Sequence, residues 1–304
     1  MPSAPTDSFA YLYAHTRLTD FLDHMTREPV DGRALDRDRL TADWHAANAR
    51  FQSLQQTEVG WADQATVGSI PKSLEAMVRR VASDAIFLRS FSAVPGQIGM
   101  VELDRLVVSQ KTINLTHVDR LKGQIGPSPD RDTIFRVCLP FDHPTPAAEV
   151  TRIEKHTFEI VSDSNDLRFL ESLALSSEQL NGYQASGPVV GVFGAVVGYG
   201  SNYLNALACE GRLVLNNGFH RAYTLRALGV THVPCVVQRL ARRDELKHVG
   251  RAAVRRDPEL YFDLARPPVL KDFFDAGLCR EVICPRKARH VRVTVTVEEF
   301  DESS

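Results

Sequence analysis

LVLNNGFHRAYTLRALGVTHVPCVV, residues 213–237, is the stretch on which the fold turns. The apolar run Leu213–Leu215 stops at Asn216-Asn217-Gly218, and His220 and Arg221 follow at once. Ala222, Tyr223, Leu225 and Leu228 then recur at helical spacing before Gly229 and a second apolar run. The pattern predicts strand, glycine turn, helix and strand. A helix N-terminus presents unpaired N–H groups and the positive end of the helix dipole, so it attracts anions. Gly218 admits unusual backbone angles and a close ligand approach. Arg221 offers a forked cation, and His220 can donate to a phosphate or shuttle a proton near neutral pH. On spacing alone, a solvated polar turn opening an ordinary helix explains the stretch equally well.

Working outward, LNALAC-EG-RLVL reads as a β-hairpin with Glu210-Gly211 as its tight turn. The first 95 residues read as helical, with Leu35, Leu40, Trp44, Ala47 and Phe51 on one face and Ser69 and Pro71 opening a second helix. From residue 100, MVELDRLVVSQ reads as a strand, and LTHVDRLKGQIG as a helix capped by Asn114 or Thr116 and ended by Gly126. Residues 127–188 carry the strand-like pieces TIFRVCLPF, HTFEIVS and LRFLESLAL, with Asp163 to Asp166 (through Ser164 and Asn165) as a turn. The chain becomes basic through Arg239, Arg242, Arg243, Lys247, Arg251, Arg255 and Arg256, which predicts a basic helix over 239–256, and closes on two strand-like runs, REVIC and HVRVTVTVEEF. The expected class is α+β: an N-terminal helical region over 1–95, a mixed-sheet core over 96–240 with a β-rich insertion at about 127–188, and a helix and strand extension over 241–304.

The totals narrow the function classes. The 304 residues are 43% hydrophobic and 24% charged, and the net charge of −2 gives no global pull toward nucleic acid or anionic membrane. No apolar run reaches the ~18 residues of a membrane span, and the first residues lack a secretory pattern. The five cysteines (Cys138, Cys209, Cys235, Cys279 and Cys284) form no CxxC pair, which disfavours a metal site or disulfide framework and fits a reducing cytoplasm.

The order hairpin, NNGFHRAYTLRALG, then THVPCVV resembles the signature of the ParB/sulfiredoxin-like superfamily, and VELDRLVVSQKTINLTHVDRLKGQI is similar to that family's opening strand, polar loop and helix. Together the two segments cover about a quarter of the chain. The resemblance implies that the helix-opening motif meets the phosphates of a nucleoside triphosphate or diphosphate, with or without Mg2+. It assigns phosphate contacts to Gly218, His220 and Arg221, with Asn216, Asn217 and Thr224 beside them. Gln110, Lys111 and Asn114 are further ligand contacts by the same resemblance.

Departures from the family matter equally. Phe219 stands where sulfiredoxin has its catalytic cysteine, which excludes that chemistry, and also where chromosome-partitioning members have an acid. Asn217 stands where the free-serine kinases of this fold have an acid, so a nucleophile-positioning carboxylate must come from elsewhere; Glu102 is the candidate, with His220 as the proton-handling group. Three readings follow. One is a nucleotide-dependent phosphotransferase or hydrolase. The second is a DNA-associated clamp or nuclease using the basic 239–256 segment, and the third a non-catalytic, homo-oligomeric scaffold.

Overall fold

The structure, a computed structural model, describes residues 5–299 apart from 144, 165, 177, 178, 180–183 and 185, so Asn165 of the expected turn lies outside the described residues. Helices and several sheets alternate in an α+β arrangement. In chain order, the strand β1 (Thr6–Leu12) precedes α1 (Leu18–Arg27), α2 (Arg37–Thr57), β2 (Val67–Gly68), α3 (Glu75–Ala82) and α4 (Ala85–Ser90). Next come β3 (Gly96–Glu102), β4 (Val107–Val108), β5 (Thr112–Asn114), α5 (Leu115–Ile125) and α6 (Arg131–Cys138). The strands β6 (Glu149–Glu154), β7 (Thr157–Ser162), β8 (Arg168–Leu175) and β9 (Val192–Gly198) follow. The chain continues through β10 (Asn205–Cys209), β11 (Arg212–Asn217), α7 (Phe219–Ala227) and β12 (His232–Arg239). It ends with α8 (Leu246–Val249), α9 (Ala252–Arg256), α10 (Pro258–Phe262), β13 (Cys279–Pro285) and β14 (Arg289–Thr294).

The chain divides into two compact units, one of residues up to 142 with 202–286, the other of 143–201 with the residues from 287 onward. The first holds a six-stranded sheet in the order β2-β3-β12-β10-β11-β4 and a three-stranded sheet, β13-β1-β5. Two pairs, β10 with β12 and β11 with β4, are parallel. The predicted hairpin is present: Glu210 and Gly211 have φ of 50° and 80°, the left-handed pair of a type I′ turn. Central β12 is buried on both faces except at its ends, as a strand covered by helices must be. Its Pro234 sits before the point where β10 begins to pair, at Val236, so the missing N–H leaves no gap in that ladder. In the second unit β14, β7 and β6 form one antiparallel sheet and β8 and β9 another, in agreement with HTFEIVS and LRFLESLAL as strands.

Several expectations are corrected. TIFRVCLPF is helical over Arg131–Cys138, because Asp130 accepts from the Thr133 N–H at 2.8 Å and caps it, and Phe135 and Cys138 bury one face. The region before residue 95 is not helical throughout: β1 sits at the centre of a sheet, and Phe21, Met25 and Phe51 of α1 and α2 share one core with Leu213 and Leu225. The second helix breaks at Ser83, and Asp84 caps α4 through the Ile86 N–H at 2.7 Å. The closing strands do not pair with each other; β13 joins β1 and β14 joins β7. The basic 239–256 helix does not exist. Arg239 ends a strand, the rest is split among the short helices α8 and α9 and the turns between them, and Arg243 is neutralised by Glu210 at 2.6 Å and by Asp263. Among the described residues no helix is long and apolar enough to cross a membrane.

Candidate functional site

The turn between β11 and α7 has the predicted form. Gly218 caps α7 with φ of +92°, and a Cβ there would lie 3.2 Å from Leu204 Cα, so both backbone angle and space call for glycine. Phe219 is buried at 3% exposure and anchors the helix. The Arg251 guanidinium lies over its ring, 5.0 Å from the centroid, and Arg251 also donates to the Asn216 carbonyl at 3.4 Å.

His220 Nε2 accepts the backbone N–H of Asn114 at 3.0 Å, which ties the start of α5 to the start of α7. A nitrogen that accepts an N–H carries no proton, so the ring is neutral and its proton sits on Nδ1. Burial pulls the His220 imidazole down to about 4, helped by the neighbouring His117, Arg221 and Arg251. The His117 ring stands edge-on to it at 5.2 Å and is itself shifted downward, chiefly by burial. His220 is therefore a donor through Nδ1 and not a proton shuttle, since protonating Nε2 would break the Asn114 bond.

Arg221 is turned inward beneath the turn, its Nη2 3.1 Å from where a Gly218 Cβ would stand. It is 8% exposed and donates from Nη1 to the carbonyls of Val137 at 3.0 Å and Cys138 at 3.3 Å, the C-terminal end of α6, and to Asn202. Its role is to close that helix end. Thr224 is buried and bonds back to the His220 carbonyl at 2.7 Å, and Asn217 donates to the Tyr203 carbonyl at 3.0 Å. Both are structural, and so is the Asn114 side chain, which caps α5 through His117 N–H at 2.8 Å and donates to Asp7 at 3.0 Å. Gln110 is turned to its own loop, donating to the Thr112 carbonyl at 2.7 Å.

The loop after β4 is brought to the turn at both ends. Val107 and Val108 pair with Val214 and Leu215 in parallel, so the next step sets Ser109 beside Asn216, while Asn114 at the far end meets His220. Between them lies Lys111, half-buried, its ammonium without an ion pair or hydrogen bond among the described residues. Burial moves its pKa down, with Arg256 and Arg17 acting in the same direction and Asp20 and Asp257 opposing. Arg256 and Arg17 thus lie within electrostatic reach of Lys111 after β4, while Arg251 reaches the end of β11 through the Asn216 carbonyl.

Glu102 is not part of this site. It ends β3 beside His232, pairs with Arg105 at 2.7 Å, and lies at the other end of α7, where Arg226 binds Asp104 at 3.0 Å. A nine-residue helix separates it from the turn by about 13 Å. The carboxylates within electrostatic reach of Lys111 are Asp20 and Asp257, neither of which sequence spacing singled out. They come from segments more than 200 residues apart, so no local signal pointed to them. Arg251 was legible only as one member of a basic run. Among the described residues no group of three His, Cys, Asp or Glu side chains could hold a metal ion.

No protein-family model, curated protein or solved structure matches the chain.

Proposed function

We propose that the chain binds a phosphorylated small molecule, a nucleoside triphosphate or diphosphate in the first instance, where β4 and β11 end, and that it transfers or hydrolyses a phosphoryl group. The observation that carries this reading is Lys111. A half-buried ammonium with no ion pair among the described residues and a depressed pKa is a characteristic of binding and catalytic sites. Its loop is tied at one end to β11, through Val108 and Leu215, and at the other to His220, so it borders the turn whose sequence suggested an anion seat. The Nδ1–H of His220 and the guanidinium of Arg251 are further donors to an anion held there. Asp20 and Asp257 take the place first given to Glu102, as groups that can orient an attacking hydroxyl or water or complete the shell of Mg2+ carried in with phosphates. The resemblance of the 213–237 segment to ParB/sulfiredoxin-like proteins supports the same ligand class. The division of the basic 239–256 segment leaves the DNA-associated reading resting on the resemblance alone.

A thermal-shift panel with ATP, ADP, CTP, GTP and inorganic phosphate, each with and without Mg2+, tests the proposal. A ligand at a hundred times its Kd stabilises the native state by about 2.7 kcal/mol. We expect a clear upward shift in Tm with at least one of these, weakened tenfold or more in affinity by Lys111→Ala or Arg251→Ala. The absence of a shift with every compound would remove the proposal, and full binding by both variants would move the site elsewhere.

A further inference from the structure

Asn216 terminates a row of three carboxamides that crosses β12, β10 and β11. Gln238 Nε2 donates to the Val94 carbonyl at 2.7 Å. Asn205 Nδ2 donates to Gln238 Oε1 at 3.2 Å and to the Val236 carbonyl at 3.1 Å. Asn216 Nδ2 donates to Asn205 Oδ1 at 2.9 Å and to the Val249 carbonyl at 3.1 Å. Each amide nitrogen therefore faces a backbone carbonyl, which only accepts. Turning any one amide over would set oxygen against oxygen, so the polarity of the row is fixed.

The oxygen left at its end, Asn216 Oδ1, is a buried acceptor without a partner among the described residues, and so is the hydroxyl of Ser109, a residue 6% exposed. The two are neighbours. Val107 and Val214 lie in one core cluster and Val108 and Leu215 in the other, so the two-residue alternation of strands sets Ser109 and Asn216 on the same face. Buried polar groups almost always find partners, and here two adjacent ones at the ends of parallel strands do not. A phosphate oxygen cannot satisfy a carboxamide oxygen. One hydroxyl can satisfy both groups, donating to Asn216 Oδ1 and accepting from Ser109 Oγ.

Building on the anion site proposed above, we infer that its ligand is a phosphate ester of a hydroxylated molecule whose free hydroxyl docks between Ser109 and Asn216. A small polyol phosphate and the ribose of a nucleotide both offer that chemistry. Access requires the 249–251 segment to lift, and the bonds from Asn216 to Val249 and from Arg251 to the Asn216 carbonyl (at 3.4 Å) are what hold it to β11.

Calorimetric titration of the full chain with matched pairs tests this. Glycerol 3-phosphate against n-propyl phosphate isolates the polyol, AMP against 2′,3′-dideoxy-AMP isolates the ribose, and inorganic phosphate reports the anion site alone. We expect the hydroxylated member of at least one pair to bind tenfold or more tightly, and the two affinities to converge to within about threefold in Ser109→Ala and Asn216→Ala. Ser109→Ala, the smaller change, carries the test where Asn216→Ala does not fold. Equal affinities within both pairs alongside measurable phosphate binding would overturn the inference and leave the anion site standing, a buried water then filling the space. A preference that survives both substitutions would overturn the assignment to these residues. No binding by any of the five would overturn both proposals.

Discussion

His220 shows how the setting of one residue decides its chemistry. The ring is held neutral by burial and by His117, Arg221 and Arg251, with its proton-free Nε2 bonded to Asn114. An imidazole whose folded pKa lies below its unfolded value binds fewer protons when folded. Its contribution is complete above the ordinary value of 6.5 and is lost as the pH falls from there toward about 4. We expect Tm to drop on acidification across that window, by the equivalent of up to about 3 kcal/mol for this group. In His220→Gln, whose amide oxygen can take over the Asn114 bond, the drop should be smaller. Tm measured from pH 7.5 to 4.5 in both proteins checks it, and an equal slope in the two would show that His220 is not the titrating group. The sequence made the His-Arg pair conspicuous but could not assign its two members. Arg221 turns inward because the last carbonyls of α6, more than 80 residues earlier, arrive beneath α7. That meeting is tertiary and leaves no mark on the spacing.

Among elements, those set by local rules were the ones read correctly. The left-handed turn at Glu210-Gly211, the Asn114 cap of α5 and its stop at Gly126 each follow from a residue's own backbone preference or a bond within three positions. The misreadings came where two periods compete. TIFRVC carries β-branched residues at a strand-like density, yet a single Asp cap and two buried positions three apart decide for the helix. The segment after residue 265 holds a feature that spacing does not display at all. Arg266, fully buried, forks onto Asp272, which is 2% exposed, and reaches Glu58 of the segment after α2 at 3.1 Å. Removing one partner of such a pair strands the other charge in the core. Asp272→Ala should therefore cost about 3–5 kcal/mol, measured as a lower denaturant midpoint, whereas a loss below 1 kcal/mol would mean that Arg266 finds another partner.

For the molecule as a whole, the second unit spans 143–201 with the residues from 287 onward, whereas the sequence suggests an insertion at about 127–188 and attaches nothing from the C-terminal end to it. The first unit closes around the gap, since Leu204 N–H donates to the Cys138 carbonyl at 2.7 Å. A short glycine-serine bridge from Asp142 to Asn202, with the chain ended at Arg286, should then leave a soluble protein that unfolds in one cooperative step with native helix content. A non-cooperative melt by circular dichroism would mean that the first unit depends on residues outside it.

The centre strand of the smaller sheet in that unit has a consequence in time. β1 lies between β5 and β13, and Thr6 faces Pro285 across the ladder. At the usual pace of translation, the residues between them take roughly 15–50 s to make. During that interval the edge of β1 that will meet β13 has no native partner, and Phe9 and Tyr11 wait beside it. A strand made well before β13 is thus completed only with it, and any pause between the two lengthens the time β1 stands open.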